Sequence, residues 1–326
     1  MMLSYLAIVA GFILLVWGAD KFVEGSSATA SNLGVSPLII GLTIVGFGTS
    51  APEMLVSLMA ALNGNPTLAV GNAIGSNITN IGLVLGLTAL IVPLTVKSTT
   101  LKREYPIMFV IMLIAWYLIL DNNLNQMDGW ILITLMFLTL GLITFLGIKD
   151  QKNAKDPLIK EFEDEIPKGM SMSLAIFWLI LGMGILLFSS KILVWGAVNI
   201  AQAYGVSDLV IGLTIIAIGT SLPELAASIA GALKGEHDIV IGNIIGSNIF
   251  NLLGVLGIPA IVAPIAELPE TVLDRDYLLM MGLSIALFFV AFGFNGKGRI
   301  NRYEGGLILA SYIVYMISIY FSIQAP

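Results

Sequence analysis

The stretch GLTIVGFGTSAPEMLVSLMAALNGNPTLAVGNAIGSNITNIGLVLG, from Gly41 to Gly86, returns as GLTIIAIGTSLPELAASIAGALKGEHDIVIGNIIGSNIFNLLGVLG, from Gly212 to Gly257. The copies align without a gap at a constant offset of 171 residues, so Glu53 falls on Glu224, Asn72 on Asn243 and Asn80 on Asn251. Each copy carries a Gly-Thr-Ser-x-Pro-Glu core and a Gly-Asn-x-Ile-Gly-Ser-Asn-Ile-x-Asn core, both inside long apolar runs. A glutamate in a membrane segment is costly to bury and is functional by default. Two of them at matching places in two repeats, each just after a Gly/Pro interruption, point to a transporter site.

The rest of the composition agrees. The chain is 57% hydrophobic and 11% charged, with a mean hydropathy of +0.96. Apolar runs of spanning length, about 20 residues, recur from end to end. The expected class is an all-α polytopic membrane protein. With no cysteine there is no disulfide scaffold and no thiolate metal site. His237 is the single histidine, so one chain cannot build a histidine metal cluster. A net charge of −6 gives no basic face for nucleic acid. The first apolar run has no basic leader and continues into a full span, unlike a cleavable signal.

Ten spans are expected, at roughly 3–25, 36–62, 67–92, 104–120, 128–148, 171–203, 207–233, 238–263, 275–294 and 303–322. The longest polar segment, KDQKNAKDPLIKEFEDEIPKG from Lys149 to Gly169, is charged and lacks apolar periodicity, so it reads as a linker. The chain then divides into an N-terminal five-helix repeat (1–148), a linker (149–170) and a C-terminal five-helix repeat (171–326). An odd number of spans per half makes the second half enter from the opposite side, so the repeats are inverted. Placing the linker in the cytoplasm puts twelve of the fifteen Lys and Arg residues on that side, with Arg275 the one basic residue in an opposite loop. Both termini then face outward.

The repeated cores bring oxygen together. Pro52 and Pro223 remove a backbone donor and disturb the carbonyl four residues back, at Gly48 and Gly219. The carbonyls of Gly46 and Ala217 are the next candidates to be freed. Inside lipid, such groups must be satisfied by protein, water or an ion. Thr49, Ser50, Thr220 and Ser221 add hydroxyls on the same turn, and Glu53 and Glu224 add carboxylates one turn on. Carbonyl, hydroxyl and carboxylate oxygens within two turns suit a hard cation. In the second core Ser76 and Asn80 are four apart and share a helix face with Asn72; Ser247, Asn251 and Asn243 repeat this. Small polar residues also act as packing glue between membrane helices. That role is as open as ligation for Ser50, Ser221, Asn77 and Asn248. For Asn72 and Asn243, a packing or helix-breaking role is favoured over ligation.

In these motifs, GTSAPE with GNAIGSNITN and GTSLPE with GNIIGSNIFN, the chain resembles the cation/Ca2+ exchanger superfamily, in particular its prokaryotic sodium/calcium exchanger-like members. The resemblance implies ten transmembrane helices with the four motif-bearing helices at the centre. It implies Ca2+ held by Glu53 and Glu224 with carbonyl help from Thr49 and Thr220. It implies Na+ sites from the same glutamates plus Ser50, Ser221, Ser76, Ser247 and the carbonyls of Gly46 and Ala217, with Asn80 and Asn251 lining the centre. Gly46 stands where the family often has Ala. Asn251 stands where some relatives, including K+-dependent exchangers, have Asp, which argues against K+ co-transport.

The expected function is an antiporter exchanging Na+ for Ca2+ across the cytoplasmic membrane by alternating access, electrogenic and K+-independent, with no cofactor and no enzymatic activity. An H+-coupled Ca2+ or other cation antiporter would use the same glutamates as proton carriers. An intramembrane metal-dependent enzyme would need a basic phosphate-binding cluster beside the acids, and none accompanies Glu53 or Glu224. A channel fits paired inverted carboxylates less well than rings of ligands around an open pore.

Overall fold

The computed structural model describes residues 1–34, 46–96, 98–151, 169–235, 237–292 and 298–324. Helix α1 spans Met2–Asn32, α2 Gly46–Leu62, α3 Pro66–Ile91, α4 Ser98–Ile119 and α5 Gln126–Gln151. Helix α6 spans Met172–Tyr204, and α7 starts at Asp208 and ends at Lys234 with a break at Ser221. Helix α8 starts at His237 and ends at Val262, α9 starts at Val272 and ends at Ala291, and α10 spans Arg302–Gln324. Among the described residues seven helices are long and apolar enough to cross a membrane: α1, α3, α5, α6, α7, α8 and α10. Helices α2 and α4 contain shorter apolar stretches, Ser50–Leu62 and Glu104–Ile119. The chain is a polytopic α-helical membrane protein, the architecture in which every backbone group is satisfied within its own segment.

Several expected positions lie outside the described residues: 36–45 at the start of span two, linker residues 152–168, and Lys97 and Lys297. Helix α5 runs on to Gln151, past the expected start of the linker. The α6–α7 connection is short because its chemistry is local. Gly205 closes α6 in the left-handed region at φ 66°, where a side chain would be strained. Ser207 then caps α7 by accepting the Val210 N–H, and Asp208 accepts from the Asn65 amide at 2.6 Å.

Helices α1 and α6 pack side by side and antiparallel. Gly11, Gly18 and Gly25, seven residues apart, face Leu193, Leu186 and Leu179 in turn. A Cβ on any of them would meet α6, so absence of a side chain sets the approach distance. Gly182 and Gly196 do the same against Phe22 and Ser4. This pair forms one apolar cluster with Val56, Ala60, Leu68, Ile211 and Ile216. A separate, larger cluster joins α3, α4, α5, α8, α9 and α10. At 31 and 33 residues, α1 and α6 are about 46 and 50 Å long, more than a bilayer core of ~30 Å. The charged residues Asp20, Lys21 and Glu24 lie in the second half of α1, where Lys21 pairs with Glu24 at 2.5 Å and lies 5.1 Å from the Trp178 ring.

Two short backbone pairings tie the connections together. Leu94–Val96 (β1) pairs antiparallel with Gly298–Ile300 (β2), with Leu94 opposite Ile300. At the other end of α4, Leu124 pairs antiparallel with Ile265. Leu94 and Ile265 differ by the same 171 residues as the motifs. Arg275, expected in a loop, instead sits on the first turn of α9, with its Nε 2.7 Å from Asp276 Oδ1. Asp276 is buried and also accepts the Tyr315 hydroxyl at 2.8 Å, so the charge is paired and hydrogen-bonded as burial requires.

Candidate cation site

The motif helices α2, α3, α7 and α8 converge in the interior. Glu53 and Glu224 both have zero exposure. The helices that carry them, α2 and α7, both pack against α3. Ser50, Ser76, Asn80, Ala217, Thr220, Ser221, Ser247 and Asn251 are buried with them. Gly46 and Thr49 lie on the first turn of α2; the Thr49 side chain falls outside the described residues.

Close helix approach brings these groups into one space. Gly71 and Gly75 on α3 lie directly against the backbone of Leu209 and Leu213 on α7, and Gly212 lies against Leu68 and Asn72. Side chains at these glycines would push the two helices, and hence the two motif copies, apart. Both copies of the second core end in a π turn that starts at the last Asn, Asn80–Leu85 in α3 and Asn251–Val255 in α8. Such wide turns frequently accompany functional sites. No pattern of residues marks them in the sequence. The proline effect differs between copies. Pro52 is accommodated inside the continuous helix α2, whereas α7 breaks at Ser221, next to Pro223. The Ala217 carbonyl, expected to be freed, accepts the Ser221 N–H at 3.2 Å and lies 3.5 Å from the Thr220 hydroxyl, whose one hydrogen has a nearer acceptor in the Ile216 carbonyl at 3.0 Å. What it could still offer a cation is limited to lone-pair density that bond leaves over.

The hydrogen bonds leave a specific set of atoms without partners. Both carboxylate oxygens of Glu53, Oε2 of Glu224, the hydroxyls of Ser50 and Ser221, Oδ1 of Asn80 and both polar atoms of Asn251 are buried and unpaired. Native interiors pair their buried polar atoms, and an exception signals a site for an ion, water or chemistry. An ionised carboxylate with no partner is the costliest of these. These oxygens belong to residues predicted as ligands, but Ser27, Asn77, Thr88 and Ser228, which were not, also carry buried oxygens without partners. Among the described residues there is no cluster of three or more His, Cys, Asp or Glu. A cation here would therefore meet two carboxylates and otherwise neutral oxygens, the donor set of a hard ion.

Two further pairs emerge that residue spacing alone did not single out. Asn72 Nδ2 donates to the Ser57 hydroxyl at 2.9 Å and to the Glu53 carbonyl at 3.2 Å, while Asn72 Oδ1 accepts from Ser76 and Thr220, both at 3.3 Å. The expected packing role of Asn72 is thus a hydrogen-bonding one. Ser57 follows Glu53 by four residues, as Ser228 follows Glu224, and that repeated spacing was a readable signal. Asn80 Nδ2 donates to Asn248 Oδ1 at 3.1 Å, linking the two copies, and Asn77 turns away to Met280 on α9.

The comparisons with known proteins agree with this arrangement. A family model described as sodium/calcium exchanger protein matches residues 3–145 and 174–321. The putative antiporter CaxA of Alkalimonas amylolytica is 47% identical over 99% of this chain and 100% of its own length. The inner membrane protein YrbG of Escherichia coli is 40% identical over 98% of each chain. A solved structure of the sodium-calcium exchanger NCX_Mj, soaked with 10 mM Na+ and 10 mM Sr2+, superposes with a TM-score of 0.64 at 32% identity, covering 97% of this chain and 98% of that one. Two matched motif copies, buried acids at their centre and a family match across both halves lead to one conclusion: this chain belongs to the sodium/calcium exchanger protein family.

Proposed function

We propose that this protein is a secondary antiporter that exchanges Na+ for Ca2+ across the cytoplasmic membrane by alternating access. The observation that carries the reading is the pair of buried carboxyls, Glu53 and Glu224, surrounded by unpaired neutral oxygens. One Ca2+ neutralises two ionised carboxylates. If Na+ replaces it, at least two ions are needed, because a bare buried charge is strongly disfavoured. A third Na+ makes the exchange electrogenic. The empty site resists crossing for the same reason, which couples the two fluxes. Ca2+ accepts roughly six to eight oxygens in irregular geometry, whereas Mg2+ demands a near-ideal octahedron; a mixed carboxylate, hydroxyl and carbonyl site favours Ca2+.

In this reading Ca2+ is held by Glu53 and Glu224 with the carbonyls of Thr49 and Thr220. Na+ takes the same glutamates with Ser50, Ser221, Ser76, Ser247 and the carbonyls of Gly46 and Ala217, and Asn80 and Asn251 line the centre. Asn251, an amide where K+-dependent relatives have Asp, makes transport K+-independent. The ten helices all span, as two inverted repeats (1–148 and 171–326) about a cytoplasmic linker (149–170), with both termini outside. The antiparallel packing of α1 on α6 supports inversion, as do the pairings Leu94–Ile300 and Leu124–Ile265 at opposite ends of α4. Helices α1 and α6, packed on each other and on apolar residues of α2, α3 and α7, serve as the element that slides against the motif helices.

The test is flux in proteoliposomes. Radioactive Ca2+ uptake driven by an outward Na+ gradient at clamped pH is expected, and K+ should not alter it. Uptake that follows an imposed pH gradient and ignores Na+ would replace this reading with H+ coupling.

A further inference from the structure

The two motif copies have the same residues at the same spacing but not the same hydrogen bonds. In the first, Asn72 is fully buried and closed onto Ser57 and the Glu53 carbonyl. In the second, Asn243 Nδ2 and the Ser228 hydroxyl are each buried and have no partner. Ser76 gives its proton to Asn72, whereas Ser247 gives its proton to Glu224 Oε1 at 3.3 Å. Gly71, Asn72 and Gly75 are buried, while Gly242, Asn243 and Gly246 are half-buried. The four residues Ser57, Asn72, Ser228 and Asn243 match in type and spacing, yet their bonding differs between the copies.

The consequence for the site is chemical. Ser76 donates to Asn72 and Ser247 donates to Glu224, so each hydroxyl keeps its lone pairs for a cation. A serine that donates to Glu224 occupies one oxygen of the carboxylate and commits its own hydrogen there. In the second copy an unpaired donor and an unpaired hydroxyl stand at the positions that Asn72 and Ser57 hold in the first. Joining them would recover the free energy lost by burying each alone.

We propose that Asn72 with Ser57, and Asn243 with Ser228, are positioning residues that engage one repeat at a time: the latch is closed in the first repeat and open in the second, and the two exchange as access alternates. The proposal rests on the inverted-repeat antiporter reading, in which the two-fold partner of this arrangement is the state open to the other side.

The protein has no cysteine, so a single introduced thiol reports alone. Gly242→Cys, at a half-buried position of α8, is labelled in detergent with a small hydrophilic thiol reagent, a measurement that needs no ion flux. Failure of Na+-driven uptake would thus not mimic failure of the latch. Ser57→Ala, which weakens the latch formed here, should lower the labelling rate about three- to ten-fold. Ser228→Ala, which weakens the latch of the opposite state, should raise it. Ser228→Thr, which keeps the hydroxyl, should leave it unchanged. Opposite signs from matched substitutions support the exchange of latches. Shifts of the same sign, no shift, or a reporter that never labels would overturn it.

Discussion

The two motif copies are the natural comparison within this molecule. They share both motif cores and about half of their residues, yet α2 runs unbroken through Pro52 while α7 breaks at Ser221. Helix α3 is pressed onto α7 through Gly71 and Gly75, while the matching glycines of α8 are half-buried. A proline and a Gly-Asn pair therefore permit two local structures, and the packing partner selects between them. Transport by alternating access needs that kind of degeneracy, since one chain must hold two arrangements of similar free energy.

The glutamates should be the place where the copies do not differ. Glu53→Gln and Glu224→Gln each keep size and hydrogen-bonding capacity but remove one of two negative charges. Each is expected to lower Na+-driven Ca2+ uptake by about 100-fold or more, given the strength of buried charge pairing. Robust uptake by either variant would remove that carboxyl from the site and break the equivalence of the copies.

The glycines should be where they differ most. A Cβ at Gly75 would lie 2.7 Å from Leu213 Cα, backbone that cannot swing aside. Gly75→Ala is expected to destabilise the protein by about 1–3 kcal/mol through overpacking. Gly246→Ala is expected to stay within ~0.5 kcal/mol. Thermal unfolding of the two variants in the same detergent measures this, and equal losses would mean that the asymmetry of packing is not present in solution.

Smaller effects sharpen the centre of the site. Asn80→Ala deletes the amide link between copies, to Asn248, and should slow exchange about three- to ten-fold, the scale of one buried hydrogen bond. Asn251→Asp adds a carboxyl where both amide atoms lack partners. Protonated, that group is neutral like the amide it replaces; ionised, it adds a third negative charge. The variant should therefore track the parent at acid pH and depart from it as pH rises through the new group's titration. An unchanged pH profile would place Asn251 outside the ion's reach.

Much of this is legible in the residues alone. The repeat offset locates Glu53 and Glu224, the apolar runs locate the helices but end the first one seven residues before Asn32 and start the fourth six residues after Ser98, and the spacing of Ser76 and Asn80 puts them on one face. Hydropathy and helical periodicity are local properties, and a carboxyl is too costly to keep in an apolar run unless it serves a site. The rest is not local. The π turns after Asn80 and Asn251, the occupied Ala217 carbonyl, and the Asn72–Ser57 contact depend on how one helix lies against another. The placement of Arg275 on α9 likewise depends on Asp276 and on Tyr315, thirty-nine residues further along the chain.

The amino-acid sequence by itself determined the class of protein, the repeat and the identity of the buried oxygen donors, since each follows from residue type and spacing along one chain. Only the tertiary structure decided which copy closes on itself and which stays open. The two segments share their motif residues and spacing, so the choice between their two hydrogen-bonding patterns depends on the helices packed against them.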